Sequence, residues 1–360
     1  MEKKEILKTF LDKGFQLDLS VLNFLSQNSN LIKPFLQFLI SQKEKPIVIT
    51  DDYIELFLSQ RLEVKVVKPQ IKKKEKVTVQ DVLSYFTNRF EFFKSILSRR
   101  MELFNILSIN KISSKSKKFS LIGLVREIEK DRKKVTIEDT TGSVEVLVED
   151  EKNLRYLTLD EVVGLLCVKG GEEIICKKIV WPDLPLKRRV KKTKEEIICV
   201  FVSNFNGKGA EAINREIKKL GKNCILFLIN SSKFPSQFQK IEIELKNEFS
   251  WVYVQDITIL LLDEAFLRKY MEEFGDNPLN TLLYLLRKRH LNPEFNSTIY
   301  EEDPFLIKTI PDIAVIVSSS QSGAMNYKGV TLISLPKFII KPIGWSINLR
   351  TREYLKLNFS

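Results

Sequence analysis

The central part of the chain contains the stretch FSLIGLVREIEKDRKKVTIEDTTGSVEVLVED, residues 119–150. Apolar and polar residues alternate along it, and turn-forming residues stand at 131–133 and 141–142. The same pattern continues through VVGLLCVKGG and EEIICKKIVW to Trp181, and Pro182 and Pro185 then end it. Short strands of this kind, with Gly123 inside the first of them, predict a small β-barrel.

Beyond residue 197 the pattern changes to that of buried parallel strands. The strand IICVFVSN (197–204) precedes a glycine-containing loop, the helical stretch AEAINREIKKL and a second strand, CILFLIN (224–230). A strand, a helix and a strand in this order predict neighbouring parallel strands in an α/β layer. The segments WVYV, ITILLL, DIAVIV and VTLISL predict later strands, and residues 280–290 predict a helix.

The residues before the barrel favour helices. In the first segment Ile6, Phe10 and their apolar neighbours share one helix face, and Asp18 is a candidate N-cap for the next apolar run. The stretch VTVQDVLSYFTNRFEFFKSIL (77–97) is a longer amphipathic helix pattern. Two basic stretches without a helical period, 64–76 and 186–196, predict linkers.

Composition narrows the function. The chain has 360 residues, 58 Lys and Arg against 46 Asp and Glu, and a net charge of +12, which favours a polyanionic partner such as nucleic acid. It has one histidine, His290, whereas a dinuclear phosphoesterase uses several. Its four cysteines form no CxxC pair, which argues against a zinc site and favours a reducing compartment. We therefore expect a cytoplasmic protein without a metal or another cofactor.

Six strings follow one another along the chain: YFTNRFEFFKSILSRR (85–100), LIGLVREIEKDRKKVTIEDTTGSVEVLV (121–148), LDEVVG (159–164), IVWPDLP (179–185), LLRKRHLNP (285–293) and IPDIAVIVSSSQSGAMNYKGVTLIS (310–334). In this order they resemble the small subunit of archaeal D-family DNA polymerases, a relative of the B-subunits of eukaryotic replicative polymerases. The last two strings are the most specific. The resemblance covers nearly the whole chain and is weakest at 231–280.

This resemblance implies a multidomain α+β fold. The expected parts are a helical N-terminal domain, an OB-fold β-barrel and a calcineurin-like phosphoesterase α/β sandwich that is degenerate. Their expected bounds are 1–63 for the helical domain, 64–76 for a basic linker, 77–112 for connecting helices, 113–185 for the OB-fold, 186–196 for a second basic linker and 197–360 for the phosphoesterase-like domain.

The chain departs from the family at the motifs that hold metal. Where active members carry an Asp-His motif, this sequence has Asn204 and Asn206, and the expected Gly-Asp pair is replaced by residues that include Asn230 and Ser231. A Gly-Asn-His-Asp loop has no counterpart between 232 and 249. Leu262, Asp263 and Glu264 stand where a Tyr-His-Gly motif is expected. The final His-rich motif is replaced by the run 315–320, with Val315, Ser318 and Ser320 at motif positions.

Those replacements remove the chemistry of a two-metal site. Such a site holds two divalent ions about 3.5–4 Å apart, and carboxylate and imidazole ligands offset the repulsion between the ions. Asn and Ser side chains are neutral and bind such ions poorly. The resemblance therefore implies a phosphoesterase fold that has lost its catalysis and persists as an architectural subunit.

Two sets of residues are candidates for binding. The basic residues Lys187, Arg188, Arg189, Lys191 and Lys192 are candidates for DNA contact, although such runs are as often solvated linkers. Trp181, Arg287, Arg289 and His290 lie in family strings and are candidates for a partner interface. For His290 the simpler interpretation is a residue at a helix C-terminus, where the helix dipole favours it.

Two weaker motifs leave other roles open. The loop 204–212 follows a strand and precedes a helix, where phosphates bind, but it lacks the spacing of a P-loop or dinucleotide site. The string from Gln80 through Leu83 to Phe86 partly resembles a sliding-clamp-binding box. In both cases the interpretation as an ordinary loop or helix is favoured.

The favoured function is a non-catalytic accessory or scaffold subunit of an archaeal replicative DNA polymerase that binds a catalytic large subunit and contributes to DNA binding. One alternative is a 3′–5′ exonuclease or phosphodiesterase with an all-carboxylate site built from Asp256, Asp263, Glu264 and Asp276. Another is a free single-stranded-DNA-binding protein or sliding-clamp adaptor.

Overall fold

The computed structural model describes residues 3–42, 45–59, 62–221, 223–234, 238–246, 248–319 and 321–359. Its α-helices are α1 (Lys3–Leu11), α2 (Leu19–Gln27), α3 (Ile32–Ser41), α4 (Asp51–Ser59), α5 (Val79–Leu97), α6 (Glu151–Leu154), α7 (Ala210–Leu220), α8 (Glu264–Phe274) and α9 (Pro278–Lys288). Short 3-10 turns cover Ser29–Leu31, Ile109–Lys111 and Lys130–Arg132. In these ranges no helix combines the length and the apolar character that crossing a membrane requires.

The strands form a parallel pair, a closed barrel and two larger sheets, which confirms the coarser part of the predicted multidomain α+β fold, a mixture of helices and sheets with a closed barrel. They are β1 (Gln16–Leu17), β2 (Val48–Ile49), β3 (Val64–Val67), β4 (Lys118–Glu129), β5 (Lys134–Asp139), β6 (Gly142–Val148), β7 (Val162–Gly170), β8 (Glu173–Val180), β9 (Ile198–Ser203), β10 (Cys224–Ile229), β11 (Gln239–Ile243), β12 (Phe249–Val254), β13 (Ile257–Asp263), β14 (Ile313–Ser318), β15 (Gly323–Tyr327), β16 (Val330–Pro336), β17 (Ile343–Asn348) and β18 (Tyr354–Asn358).

Helices α1 to α4 form a helical unit around their own apolar core. The Phe35 ring lies at its centre, with ring centroids 6.2 Å from Phe10 and 5.2 Å from Phe57. The Asp18 side chain accepts a hydrogen bond from the Leu19 backbone N–H and so caps α2, as the sequence predicts. The helical unit therefore has an apolar core separate from those of the following parts.

The first predicted linker is partly a strand. Within 64–76, β3 pairs antiparallel with β12, so that Val66 lies opposite Val252 and β3 becomes the edge of a sheet. Val64 packs against the core between the sheets. The high charge of this stretch hides the short strand from pattern analysis, because an edge strand tolerates lysine on its open side.

Helix α5 begins at a capping box in which Thr78 and Asp81 each accept a hydrogen bond from the other's backbone N–H. Its apolar face buries Phe90, Phe93 and Leu97 against the outside of β4 and β7. The rest of 77–112, where further helices were expected, contains only the turn Ile109–Lys111. Residues 98–108 otherwise run along the barrel, since their apolar side chains follow no helical period.

The barrel has the strand order β4-β5-β6-β8-β7 and closes by pairing of β4 with β7, which confirms the predicted barrel. The long β4 pairs with β7 in its first half and with β5 in its second half. Gly123 lies close to the change of partner. A Cβ there would lie 2.0 Å from Ile137 Cγ2 and 3.0 Å from the Glu138 carbonyl oxygen, so a larger residue would displace β5.

The residues after 197 form a two-sheet unit, to which β3 also belongs. One sheet has the order β11-β10-β9-β17-β18 and the other has the order β15-β16-β14-β13-β12-β3. Strands β9 and β10 are parallel neighbours joined by α7, as the strand–helix–strand pattern predicts. The facing surfaces of the sheets share a core that includes Phe201, Ile259 and Val315. Helix α7 covers the outer face of the first sheet, and α8 and α9 cover that of the second.

The barrel and the two-sheet unit share a second core. It joins Leu157 and Trp181 of the barrel to Leu285 of α9 and Leu332 of β16. Helix α9 begins two residues before the predicted start because Asn277 caps it, and it ends at Arg289 in the left-handed conformation, with φ of 56°. The seam between the two parts is therefore packed by residues from both.

Candidate functional sites at the strand ends and the barrel seam

The carboxyl ends of β9, β10 and β13 meet at one edge of the two-sheet unit. Asn204 follows β9, and its backbone N–H donates to the Ile229 carbonyl at the end of β10 over 2.8 Å. Asn230 then donates through Nδ2 to Oδ2 of Asp263 over 3.0 Å, which links the two sheets. The family resemblance assigns the metal ligands of active members to these strand ends. We call this edge the strand-end site.

Side chains at the strand-end site are bonded mainly to nearby backbone. Oδ1 of Asn230 accepts from the Leu245 N–H over 2.8 Å, and Oδ1 of Asn206 accepts from the N–H two residues later over 3.2 Å. The Ser231 hydroxyl accepts from the Phe205 N–H over 3.0 Å. These hydrogen bonds brace the loops that follow the strand ends.

Two oxygens at this edge have no hydrogen-bond partner within the described ranges. They are Oδ1 of Asn204 and Oε1 of Gln321, and both are buried. The Ser318 hydroxyl, 1% exposed, accepts from the Gln321 N–H over 3.1 Å. Ser320, another predicted motif position, lies outside the described residues.

The structure corrects the placement of Val315. This residue was expected at a motif position, but it lies in the middle of β14, fully buried between Leu261 and Ile333 of the neighbouring strands. Strand β14 continues to Ser318 because its apolar run has no earlier interruption. The carboxyl end of β14 is therefore at 318–319, and Val315 belongs to the core.

The four carboxylates of the alternative all-carboxylate site do not meet. Asp256 lies in the turn between β12 and β13, whereas Asp263 lies at the far end of β13 and caps α8 through the Ala265 N–H. Asp276 follows α8 and accepts from the Tyr156 hydroxyl of the barrel over 2.7 Å. Glu264 accepts from the Ser319 hydroxyl over 3.0 Å. Throughout the described part of the chain, no three His, Cys, Asp or Glu side chains are grouped as metal ligands.

A buried ion pair ties α5 to the two-sheet unit. Arg89 is 2% exposed and donates through Nη2 to Oδ2 of Asp303 over 2.7 Å. It also donates to the Pro293 carbonyl and, over 3.2 Å, to the Asp160 carbonyl of the barrel. The Tyr85 hydroxyl donates to the same Asp303 oxygen over 2.9 Å. One guanidinium on α5 therefore contacts both the barrel and the two-sheet unit.

His290 completes this cluster as a neutral ring. Its Nδ1 accepts from the Asn292 N–H over 3.1 Å, so the ring proton belongs on Nε2, which donates to Asp303 over 3.0 Å. Burial lowers the pKa of His290 to about 4, the Arg89 charge adds to that effect, and Asp303 opposes it. Burial alone would raise the pKa of Asp303, but His290 and Arg89 outweigh it and hold the pKa below its usual range. At neutral pH this geometry braces the fold and leaves no free base.

A second buried pair joins α9 to the barrel. Lys288 donates to Oε1 of Glu161 over 2.7 Å and to the Thr158 hydroxyl over 3.1 Å. The Trp181 indole N–H donates to the other Glu161 oxygen over 3.1 Å. Burial lowers the pKa of Lys288, and Glu161 counteracts this effect. Glu161 thus links the barrel, through Trp181, to α9, through Lys288.

The strings that carry the family resemblance meet at this seam. Asp183, from the string at 179–185, accepts from the Tyr327 hydroxyl over 3.0 Å and from the Lys328 ammonium over 2.5 Å, both in the string at 310–334. Glu161 and Lys288 likewise come from two of the strings. The contribution of Asp183 and Asp303 was missed, because a sequence does not show which distant carboxylate will face which cation.

The four predicted interface residues face this seam. Trp181 and His290 are each 2% exposed. The Arg287 guanidinium lies 4.8 Å from the Trp181 ring centroid, and Arg289 donates to the Ile307 carbonyl over 2.9 Å. Two of the four are buried and the other two are half-buried and bonded within the chain, so all four join parts of this chain, and their contact with a partner stays a prediction.

The second basic stretch is partly anchored. Arg188 donates over 2.6 Å to Asp312, which is 1% exposed, and Lys191 donates to the Asp256 carbonyl over 3.1 Å. The other three candidates for DNA contact are exposed, namely Lys187, Arg189 and Lys192. Lys191 is exposed as well, with 50% of its side chain accessible, and DNA contact at 187–192 stays a prediction.

The weaker motifs have structural roles. In the loop 204–212, Gly209 directly precedes α7 and has φ of 82°. A Cβ added to Gly209 would lie 3.4 Å from the Phe338 ring. In the string that resembles a clamp box, the Phe86 ring packs against Phe295, with centroids 5.1 Å apart. Leu83 remains 57% exposed. The aromatic part of that motif is already engaged within the chain.

Comparison with curated proteins finds three archaeal relatives, each of them a DNA polymerase II small subunit. The one from Archaeoglobus fulgidus is 30% identical over 143 residues, which cover 38% of this chain and 28% of the relative. The one from Methanothermobacter thermautotrophicus is 26% identical over 136 residues, covering 36% and 28%. The one from Methanocaldococcus jannaschii is 29% identical over 154 residues, covering 39% and 26%. No protein-family model matches the chain.

Among solved structures, a predicted phosphoesterase from Streptococcus pneumoniae TIGR4 aligns with 46% of this chain and 92% of its own, at 7% identity and a TM-score of 0.31. The chain matches about a quarter of the length of its curated relatives, 26% to 28% in each. Over that part, the resemblance of this chain to the archaeal DNA polymerase II small subunits is confirmed.

Proposed function

We propose that this chain is a non-catalytic accessory subunit of an archaeal replicative DNA polymerase and that it binds the catalytic large subunit. The observation that carries the proposal is the sequence similarity to three DNA polymerase II small subunits. A subunit called small implies a larger one, so a large-subunit partner follows from the relatives' names. As part of that assembly the chain would act on DNA in the cytoplasm.

Two fold assignments belong to this proposal. The barrel is an OB-fold, which the closed strand order β4-β5-β6-β8-β7 supports. The two-sheet unit is a degenerate calcineurin-like phosphoesterase sandwich, which its two facing sheets with helices on both outer faces support. The bounds 113–185 and 197–360 stay part of the proposal. The helical domain is best ended before β3, because β3 pairs within the two-sheet unit.

The absence of catalysis is proposed from the chemistry of the strand-end site. Asn230 and Asp263 bond to each other, and Asp263 also caps α8. An Asn amide is neutral, so this pair brings one carboxylate where a two-metal site needs several anionic or imidazole ligands. Glu264, the next carboxylate along the chain, bonds to Ser319. These groups brace the sheet edge, and that is consistent with an architectural role.

The buried seam supports a scaffold function. Arg89–Asp303 and Lys288–Glu161 fix α5, the barrel and the two-sheet unit to one another. A large obligate interface buries about 2,000 Å² or more, and it gains from surfaces that do not reorganise on binding. We infer that the barrel and the two-sheet unit act together as one surface for the large subunit. Lys187, Arg189 and Lys192 would add a sequence-independent contact to DNA.

Capture of the large subunit tests the proposal. The tagged full chain is expressed with a large subunit of DNA polymerase II, and a variant lacking residues 1–61 retains β3 and should capture the large subunit as well as the full chain does. A variant ending at residue 196 should not capture it. Capture by residues 1–61 alone, equal to that of the full chain, would contradict the assignment of the interface.

A nuclease assay tests the absence of catalysis separately. Purified protein in manganese buffer should leave 3′-ended single-stranded DNA intact and carry no stoichiometric manganese, iron or zinc. The control is Asp263→Ala, which removes the carboxylate at the end of β13. Removal of terminal nucleotides by the unaltered chain but not by this variant would establish an active site and refute the proposal.

A further inference from the structure

Two cysteines that lie outside the strings of the family resemblance face each other inside the barrel. Cys167 of β7 and Cys176 of β8 are direct partners in the antiparallel ladder, next to a bulge that shifts the register after Leu166. Both side chains are fully buried in the same core, and both are free thiols. The sequence separates them by a hairpin and gives no CxxC signal, so only the fold brings them together.

The spacing of paired strands suits a disulfide. Directly opposed residues in an antiparallel pair have Cα atoms about 4.5 or 5.5 Å apart, depending on the type of pair. Disulfides span Cα distances of about 4.4–6.8 Å, so both types of pair fall within this range. The two side chains point to the same side because they lie opposite each other. The neighbouring Cys176 thiol and burial raise the pKa of Cys167.

The other two cysteines provide an internal comparison. Cys199 and Cys224 also lie on neighbouring strands, but Cys199 is opposite Ile225, one residue away from Cys224. Cys199 faces the core between the sheets, whereas Cys224 faces the core under α7. Because adjacent residues of a strand point to opposite faces, these two thiols are on opposite sides of the sheet. They cannot bond without moving the backbone.

We propose that Cys167 and Cys176 form a reversible disulfide that locks the β7–β8 hairpin of the barrel. The oxidant is a small or protein disulfide, such as oxidised glutathione. One thiolate attacks that disulfide and releases one thiol, and the second cysteine displaces the other thiol as the intramolecular bond forms. Two cysteine thiols are oxidised, one external disulfide is reduced to two thiols, and the two cysteine protons end on those thiols.

Burial sets the conditions for this exchange. A thiol that is inaccessible and has a raised pKa presents little thiolate, so the native barrel reacts slowly. The turn between β7 and β8, with Gly171 at φ of 69°, joins the two strands at their exposed end. Local opening of this hairpin would expose both thiols together. The disulfide would then hold the hairpin closed.

The experiment uses the full chain as purified in reduced form. It is held in buffers with increasing ratios of oxidised to reduced glutathione, in urea just below the unfolding midpoint, and the exchange is then quenched with acid and the free thiols are alkylated in fully denaturing urea, because all four are buried in the native chain. Trypsin cleaves after Lys169, so the disulfide appears as peptide 156–169 linked to peptide 170–177. We expect this linked pair, with Cys199 and Cys224 fully alkylated, and a rise of the melting temperature by about a few degrees that dithiothreitol reverses.

Two matched variants keep the test specific. Cys224→Ser should leave the linked peptides unchanged, whereas Cys176→Ser should abolish them together with the thermal shift. The unaltered chain alone already decides the question if the second variant fails to fold. Alkylation of Cys167 and Cys176 at every glutathione ratio would overturn the proposal, and so would a linked pair that lowers the melting temperature.

Discussion

Replacing Asp303 by Asn removes the charge at the centre of the barrel seam while keeping the size of the side chain. One Asp303 oxygen accepts from Arg89, Tyr85 and His290, and the other accepts from the Phe305 N–H over 3.1 Å. An Asn side chain has one acceptor oxygen, so in either orientation its amide group faces a donor. Arg89, 2% exposed, would then be a buried cation without a counter-charge.

The expected cost follows from burial. Removing one partner of a buried ion pair costs about 3–5 kcal/mol, because the remaining charge is uncompensated. If the free energy of unfolding decreases by about 2–3 kcal/mol per M urea, the substitution lowers the unfolding midpoint by about 1–2 M. The neighbouring residue provides the control. The Glu302 side chain is 83% exposed and pairs with Lys308, so Glu302→Gln should change the free energy of unfolding by no more than about 1 kcal/mol.

Tryptophan fluorescence reports the unfolding of the barrel seam and the two-sheet unit. The three tryptophans are Trp181 at the seam and Trp251 and Trp345 in the two-sheet unit, while the helical unit has none. Arg89→Met combined with Asp303→Asn should cost less than the two single changes added together, by more than about 1 kcal/mol. Equal midpoints for Asp303→Asn and Glu302→Gln, or strictly additive single changes, would refute the account of the seam.

Three further predictions concern pH, packing and DNA. The pKa of His290 lies below its unfolded value of about 6.5, so the contribution of His290 to the free energy of unfolding is complete above that pH. This contribution falls by about 1–3 kcal/mol between pH 7 and 4.5. The urea midpoint should therefore decrease over this pH range, and His290→Gln should make the decrease smaller. Gly123→Ala should destabilise the barrel by about 1–3 kcal/mol in the same assay, because its Cβ meets Ile137 and backbone, whereas Gly170→Ala, whose Cβ would lie 3.5 Å from Ile175 Cδ1, should change the free energy of unfolding less. Changing Lys187, Arg189 and Lys192 to Ser should reduce the salt dependence of DNA binding, measured by fluorescence anisotropy, by about two to three units of slope; an unchanged slope would place DNA elsewhere on the chain.

The barrel and the parallel strands could be predicted because their signals are local. Alternation along 119–150 and the apolar runs at 197–204 and 224–230 follow directly from which strand faces are buried. The edge strand β3 was taken for a linker because lysines surround it, and Val315 was misplaced because nothing interrupts the apolar run before Ser318. The first error concerns whether a strand forms and the second where a strand ends, and both depend on neighbouring strands rather than on the residues of the strand itself.

The seam could not be predicted, since its pairs join distant residues. Arg89 lies among aromatic residues in α5, and Asp303 lies in an irregular segment more than two hundred positions later. From the sequence alone such charged residues are expected on the surface, because buried charges are rare without a partner. Cys167 and Cys176 illustrate the same limit, since their register depends on a bulge in β7 and β8.

The most direct test of the central claim is mass spectrometry of the intact complex purified by a tag on this chain from cells that also express the large subunit of DNA polymerase II. We expect a stable assembly of this chain with that large subunit, unchanged by loss of residues 1–61 and weakened by Asp303→Asn but not by Glu302→Gln. Recovery of this chain without the large subunit, at concentrations where each protein is folded, would contradict it.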